Sequence, residues 1–572
     1  MQKTSSSPIW KKYLIRAAGV LLLLVILNVA SAYIHTRWDL TAEKRFTLSP
    51  STIQLLKHVH EPIQIQIYLS GKLPAGFRHL AESIRDLLNN FRNYAGPYIQ
   101  FRFIDPASFP DSARSKLYDS LVARGIHPYN LQVQLSAAEG YSEKLIFPGA
   151  IVKNNRQERT IDLLESKMSD NTLASLNNAE ALLEYKFANA IYHLQQTHPP
   201  LIGYMLGNGE PLDPRVNDAL SILSRNYLID TIPLDRYPYI PQDFKAVVFI
   251  KPELPFTTQE KLKIDQYLMH GGKILWFLDD LNASMDSLTN KNSFIAFDKN
   301  LHLEDLLFTY GVRINPDLIQ DLQCDMIPLV VGSAGNQPQI QLVPWPYFPL
   351  LTPTENSPIV KNINPVLGHF VNSLDTVGTP GIRKTILLTS SAYSRITGSP
   401  VKVSWNDARI KPDPALFQHP FIPAAVLLEG RFRSMFMNRL DQQTIDSLNR
   451  VFPQPIADSS VPTAMIVVSD GDIAMNAISA KEGPLPMGNN AYTHVQYANP
   501  QFFANCLEYL TDTSGIMQSR NKTFILRQMN TTRIEQQKNL WQLLNLIIPV
   551  AFGVLMGWIF QIFRKKSYFT SI

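Results

Sequence analysis

Five carboxylates stand in turns that close apolar runs: Glu210 in Gly207-Asn208-Gly209-Glu210, Asp279 and Asp280 in sequence together, and Asp470 and Asp472 in Ser469-Asp470-Gly471-Asp472. Gathered on one sheet edge, Glu210, Asp279, Asp280, Asp470 and Asp472 could take a hard cation or a polar ligand, since carboxylate oxygens suit both. Acidic and glycine residues are also ordinary strand-end turn chemistry, and that is the plainer reading.

Other reaction classes are excluded more firmly. An ATPase needs a glycine-rich phosphate loop ending in Gly-Lys-Ser/Thr, but Gly271-Gly272-Lys273-Ile274 lacks both the hydroxyl and the upstream glycine. Gly332-Ser333-Ala334-Gly335 misses Gly-x-Ser-x-Gly by one position and has no strand-to-helix elbow around it, so it reads as a surface loop. The 12 histidines form no HExxH pairing. The two cysteines, Cys324 and Cys506, make at most one bridge, with two buried thiols an equal alternative, and support neither a zinc site nor a disulfide framework. No metal ligand set and no cofactor is expected.

The elements that must position the carboxylates centre on residues 246–280. AVVFI and KILWFL are unbroken apolar runs, the pattern of parallel strands covered on both faces. Between them Thr257 is the N-cap of a helix with Glu260 as its reciprocal partner; Ile264, Tyr267 and Leu268 mark one face, and Gly271-Gly272 ends it. A right-handed crossover places the loops after both strands, residues 251–253 and 279–280, on one sheet edge. Strands at 201–206, 228–232, 384–388 and 464–468, with helices at 216–226, 303–310 and 501–510, complete a doubly wound α/β domain over residues 199–530. The 40 prolines concentrate between Pro338 and Pro365, which predicts long irregular surface segments there.

A smaller α/β domain covers residues 37–165. Ser49 caps a helix that starts at Pro50. Ile63, Ile65, Ile67 and Leu69 alternate as a half-buried strand, and Leu80, Ile84, Leu87, Leu88 and Phe91 follow at helical spacing. A strand at 98–104, an alternating run at 131–135 and a hairpin around Asn154-Asn155 complete it, and a helix over about 173–195, within residues 166–198, leads to the large domain. The order is faintly thioredoxin-like, yet no Cys-x-x-Cys is present.

Both ends are apolar. A cytoplasmic tail of residues 1–12, with Lys3, Lys11 and Lys12, leads into a first membrane span at 13–36, near whose start Arg16 stands. Ala30-Ser31-Ala32 keeps a cleaved signal peptide open as an alternative. A second span covers 540–563, with Pro549 inside it and Arg564, Lys565 and Lys566 in the closing tail of 564–572. By the positive-inside rule both termini are cytoplasmic and the bulk lies outside the membrane. Gly553 and Gly557 make a small-xxx-small face for helix packing. A net charge of +5 on 572 residues gives no bias toward nucleic acid.

The whole chain resembles the GldG family of gliding-motility ABC-transporter accessory (substrate-binding-like) proteins of Bacteroidota. The resemblance is carried by Asp39-Leu40-Thr41 through Lys44-Arg45-Phe46-Thr47-Leu48-Ser49, by Gly271-Gly272-Lys273, by Ser469-Asp470-Gly471-Asp472, and by Asn499-Pro500-Gln501-Phe502-Phe503-Ala504-Asn505. It implies an inner-membrane accessory subunit working with a separate ATPase and a separate multi-span permease. It also implies a periplasmic domain similar to the glutamine-amidotransferase-like fold shared with intraflagellar-transport proteins. Those amidotransferases place a nucleophilic cysteine on a strand-end elbow; here Asp279-Asp280 follows the strand, and neither Cys324 nor Cys506 matches that position. The expectation is a non-catalytic subunit, the alternative a membrane-tethered hydrolase or metal-dependent enzyme using the acidic edge.

Overall fold

The computed structural model describes residues 18–26, 28, 47–136, 139–164, 172–288, 291–334, 337–479, 482–521 and 531–569. The chain divides after residue 523 into a mixed α/β body and a unit holding the long C-terminal helix.

In the body, five parallel strands run in the spatial order Leu228–Pro233, Leu201–Leu206, Phe244–Ile250, Ile274–Phe277 and Thr463–Val468. The unbroken apolar runs have the cause expected for buried parallel strands. Ile202, Tyr204, Val248, Leu275 and Ile466 pack against Ala219 and Leu223 of the helix Asn217–Asn226 and against Phe502, Phe503 and Leu507 of the helix Asn499–Thr511. Met205, Val247, Phe249, Trp276 and Val467 pack on the opposite side with Ile264 and Leu268 of the helix Thr258–Met269 and Leu306 and Tyr310 of the helix Glu304–Tyr310.

The capping box forms as expected. Glu260 N–H donates to Thr257 Oγ1 at 3.2 Å, and Glu260 Oε2 accepts from Thr257 N–H at 2.7 Å. Gly271 takes φ 92°, and a Cβ on Gly272 would sit 2.4 Å from the Tyr267 ring, so the turn and the packing beneath it both require glycine. The helix is buried on more than the expected face. Asp265 accepts from Tyr310, Ser434 and the Met435 N–H, and Gln266 bonds the backbone of Ala457.

Beyond Thr463–Val468 the sheet continues antiparallel through Pro423–Gly430, Ile382–Thr389, Gln337–Pro353 and Cys324–Ala334. The doubly wound arrangement therefore covers half the sheet. The expected irregularity between Pro338 and Pro365 is corrected here: Gln337–Pro353 is a 17-residue strand despite its prolines. It forms a hairpin with Cys324–Ala334, and proline is tolerated where its missing N–H does not face the ladder. Gly332, Ser333 and Ala334, expected in a surface loop, are instead paired strand residues near the end of that hairpin, opposite Gln339, Pro338 and Gln337.

The smaller sheet orders Ile99–Phe103, Ile63–Ile67, Gly149–Lys153 and Glu158–Asp162, with the last two forming the hairpin around Asn154-Asn155. Ser49 caps the helix Pro50–Lys57, its Oγ accepting from Thr52 N–H at 3.2 Å. The helix Asp111–Ala123 has no counterpart in the sequence reading; it buries only Leu121 fully, so it shows no apolar periodicity. The helix Thr172–Gln195 buries Leu183, Phe187 and Ile191 in the smaller core beside Ile516 and Met517. Tyr185 Oη on that helix donates to Glu508 Oε2 at 2.8 Å, tying the smaller core to the last helix of the large one.

The C-terminal unit is the helix Thr531–Phe569, in which Gln537–Phe563 spans 27 residues at mean hydropathy 2.2, long and apolar enough to cross a membrane. Pro549 lies inside it, and a Cβ added at Gly553 or Gly557 would meet nothing within 4 Å. Of the first expected span, residues 18–26 are helical with exposed apolar side chains; most of the rest, and residues 39–46 of the family motif, lie outside the described residues, as do the side chains of Arg564, Lys565 and Lys566.

Candidate functional site

The parallel strands deliver their loops to one edge. The strand Phe244–Ile250 ends at Lys251, whose φ of 48° is left-handed, a conformation that costs a side-chain-bearing residue about 1–3 kcal/mol and persists only where its surroundings hold it. Carboxylates do the holding. Lys251 Nζ lies 2.6 Å from Asp472 Oδ1 and 3.2 Å from Asp279 Oδ2. Asp279 Oδ2 is also 3.4 Å from Lys299 Nζ, and Lys299 reaches Glu253 Oε1 at 3.0 Å. Asp279 Oδ1 accepts from Gly471 N–H at 2.6 Å. A Cβ on Gly471 would stand 2.7 Å from Lys251 Cβ, so this glycine is required by close approach.

Beneath them Asp470 is fully buried, with Oδ2 accepting from His369 N–H and Oδ1 from Asp472 N–H, each at 2.8 Å. Burial raises its carboxyl well above the usual range, and Asp472 and Asp279 add to that. Burial pushes Asp279 the same way, but the ammonium groups of Lys251 and Lys299 and the Gly471 N–H outweigh it and hold this carboxyl low. Burial of Lys251 favours the neutral amine; Asp279 and Asp472 overcome it and keep the ammonium charged. His369, its ring centroid 4.2 Å from that of Phe348, is kept neutral chiefly by burial.

Above this network opens a crevice of about 450 Å³, lined among others by Arg215, Lys251, Glu253, Asp286, Lys299, His369 and Asp472, with Ser284, Asn282 and Asn489. It sits outside the C-terminal ends of the parallel strands Phe244–Ile250, Ile274–Phe277 and Thr463–Val468, the edge where ligands bind in open α/β sheets. Three cations and three carboxylates share its wall, so it offers hydrogen bonds of both polarities rather than an acidic edge.

Of the five expected carboxylates, Asp279, Asp470 and Asp472 meet and two stand apart. Glu210 turns inward: Oε2 accepts from Asn208 N–H at 2.8 Å, beside the capping residue Glu260 to which Asn208 Nδ2 donates. Burial brings its pKa to about 7. Asp280 is also near 7, through burial and the neighbouring charges of Glu304, Asp298 and Asp317. The expected convergence of five therefore fails: Glu210 is held by the backbone of its own turn, and Asp280 stands among Glu304, Asp298 and Asp317 instead. Among the described residues no group of three or more His, Cys, Asp or Glu side chains is placed to hold a metal ion.

The cations were missed by the sequence reading. Lys251 had a legible signal, a charged residue ending an apolar strand on the same edge as Asp279. Lys299 and His369 arrive from loops remote in sequence and carry none. Both cysteines are free thiols; Cys506 is buried and Cys324, raised to about 12 mainly by burial, is no nucleophile at neutral pH.

The described residues therefore form an α/β protein with a polar crevice at the parallel-strand ends and one helix long and apolar enough to cross a membrane. The chain belongs to the auxiliary family described as "ABC-type uncharacterized transport system", whose model matches residues 199–506. Residues 42–153 match a domain of unknown function, DUF7088. No curated protein matches. Among solved structures, the mmIFT52 N-terminal domain is similar at 14% identity and a TM-score of 0.28, covering 54% of this chain and 97% of that one. An exo-beta-1,4-mannosidase, Op5Man5 from Opitutaceae bacterium strain TAV5, matches at 10% identity and a TM-score of 0.18, covering 61% and 40%.

Proposed function

We propose that this protein is a non-catalytic, membrane-anchored accessory subunit of an ABC transporter associated with gliding motility, working with a separate ATPase and a multi-span permease. Two spans hold it in the inner membrane with both termini cytoplasmic, and the amidotransferase-like α/β body takes a ligand or partner on the periplasmic side, in the crevice beside Asp279 and Asp472. Asp470 supports that wall from beneath, while Glu210 and Asp280 stand apart from the crevice.

The family match over residues 199–506 carries the accessory role. The crevice chemistry supports binding over turnover: Lys251 is held as an ammonium between Asp279 and Asp472, which leaves it no free amine for attack, and the Asp279 carboxylate is ion-paired with Lys251 and Lys299. A membrane-tethered hydrolase or metal-dependent enzyme would need a free carboxylate pair or an open ligand set on that edge.

The test is purification of the full chain from membranes through a C-terminal tag. Retention of an ATPase and a multi-span permease is expected; their absence would sink the proposal. Added protease should digest the body in intact spheroplasts, and a body left untouched would contradict the topology.

A further inference from the structure

The hairpin Cys324–Ala334 and Gln337–Pro353 carries no charged residue between Asp325 and Glu355, in a chain that is 18% charged. Opposed residues of an antiparallel pair share a face. Ile327 opposite Val343 and Leu329 opposite Gln341 form the inner face, where Ile327 and Leu329 are buried and Ile327 packs with Trp345, Tyr347 and Phe348. Met326 opposite Pro344, Pro328 opposite Leu342, and Val330 opposite Ile340 form the outer face. A solvated strand face alternates to polar residues. This one does not: Met326 is 43% exposed, Val330 51%, Ile340 58% and Leu342 37%.

The free edge of the hairpin is blocked. Val330 O accepts from the Arg409 guanidinium at 3.2 Å, Met326 O accepts from Asn490 Nδ2 at 2.9 Å, and Pro328 between them has no N–H to give. A further strand cannot add there, which leaves the face.

Size and charge select what covers it. The exposed apolar surface is roughly 300–400 Å², about half of what each side of a stable free-standing complex buries. Such a contact suits an assembly already held together by a membrane anchor, where tethering raises the effective concentration to about millimolar. Surface binding to lipid headgroups uses exposed Lys, Arg, Trp or Tyr. The face has none of these, and Trp345 and Tyr347 are turned inward.

We infer that the outer face of this hairpin docks an uncharged, apolar surface on the membrane-embedded permease subunit of the same transporter. The inference rests on the accessory-subunit reading above and adds the contact through which the body engages its partner.

The full chain, tagged at its C-terminus, is expressed in its native membranes with a photo-crosslinking residue at Val330, at Ile340 or, as a control, at Gln443 on an exposed helix. Val330 and Ile340 should give a product with the multi-span protein that the tag retains, and Gln443 should not. V330D combined with I340D should lower permease recovery at least about tenfold, the loss of roughly one well-packed contact, with the melting temperature unchanged. Crosslinks to lipid or to a second copy, no crosslink while permease is still retained, or undiminished recovery by the double variant would each overturn the docking face and leave the accessory role standing. If the unsubstituted chain retains no ATPase or permease, the accessory reading fails and takes this inference with it.

Discussion

Lys251 Nζ lies 3.2 Å from Asp279 Oδ2, a contact between the ends of two adjacent parallel strands with both side chains nearly excluded from water. Asp279 also sees Lys299, and Lys251 also sees Asp472, so the charges balance as a network. Removing one member leaves another buried without its counter-charge.

Lys251→Met should therefore destabilise the body by about 3–5 kcal/mol, the cost of stranding a buried charge. Lys251→Met combined with Asp279→Asn should cost less than the sum of the two single changes. Denaturant unfolding of the full chain in detergent, run as a double-mutant cycle, measures the coupling; simple additivity would mean that the pair does not interact.

Glu210 gives a pH dependence whose sign is fixed by its environment. Its pKa rises from 4.5 to about 7 on folding, so the folded state binds the proton more tightly and the group destabilises it as pH climbs through that window. Below about 4.5 the penalty is absent; above about 7 it is complete. Glu210→Gln should raise the melting temperature at pH 8 and leave it little changed at pH 4.5, with a ceiling of about 3 kcal/mol at the higher pH. An equal effect at both values would contradict the buried, protonated carboxyl.

Thr257→Ala removes one half of the capping box that starts the crossover helix and should cost about 1 kcal/mol. Thr257→Ser, which keeps the oxygen, should recover most of it. Unfolding midpoints of the two variants decide the matter.

Cys506 is buried in the core that packs the helix Asn499–Thr511 on the sheet, and burial raises its thiol well above the ordinary value. A thiol reagent at pH 8 should label it only as fast as the body unfolds, so its labelling rate should track denaturant concentration. Rapid labelling in native buffer would mean that this helix opens independently.

The local arithmetic of the chain was enough to specify the parallel strands, the capped crossover helix, the Ser49-Pro50 helix start and the membrane-length C-terminal segment. Those features depend on neighbours a few residues apart: apolar runs, a Thr and a Glu at capping distance, glycines where a helix must stop. It also put Asp279 and Asp470 at the same edge, because parallel strands joined by crossovers deliver their C-terminal turns together.

Tertiary structure decided what those carboxylates face. Whether Asp279 stays ionised depends on Lys251 and Lys299, and whether Asp470 does depends on burial under His369 and the Gly471 turn; none of this is written in spacing. Glu210 points away because the nearest donor is the Asn208 N–H, a choice made by one turn's backbone. The proline-rich segment became a strand because Cys324–Ala334 was there to pair with it, and the hairpin ladder from Ala334–Gln337 out to Cys324–Pro349 outweighs the local preference of proline for irregular chain.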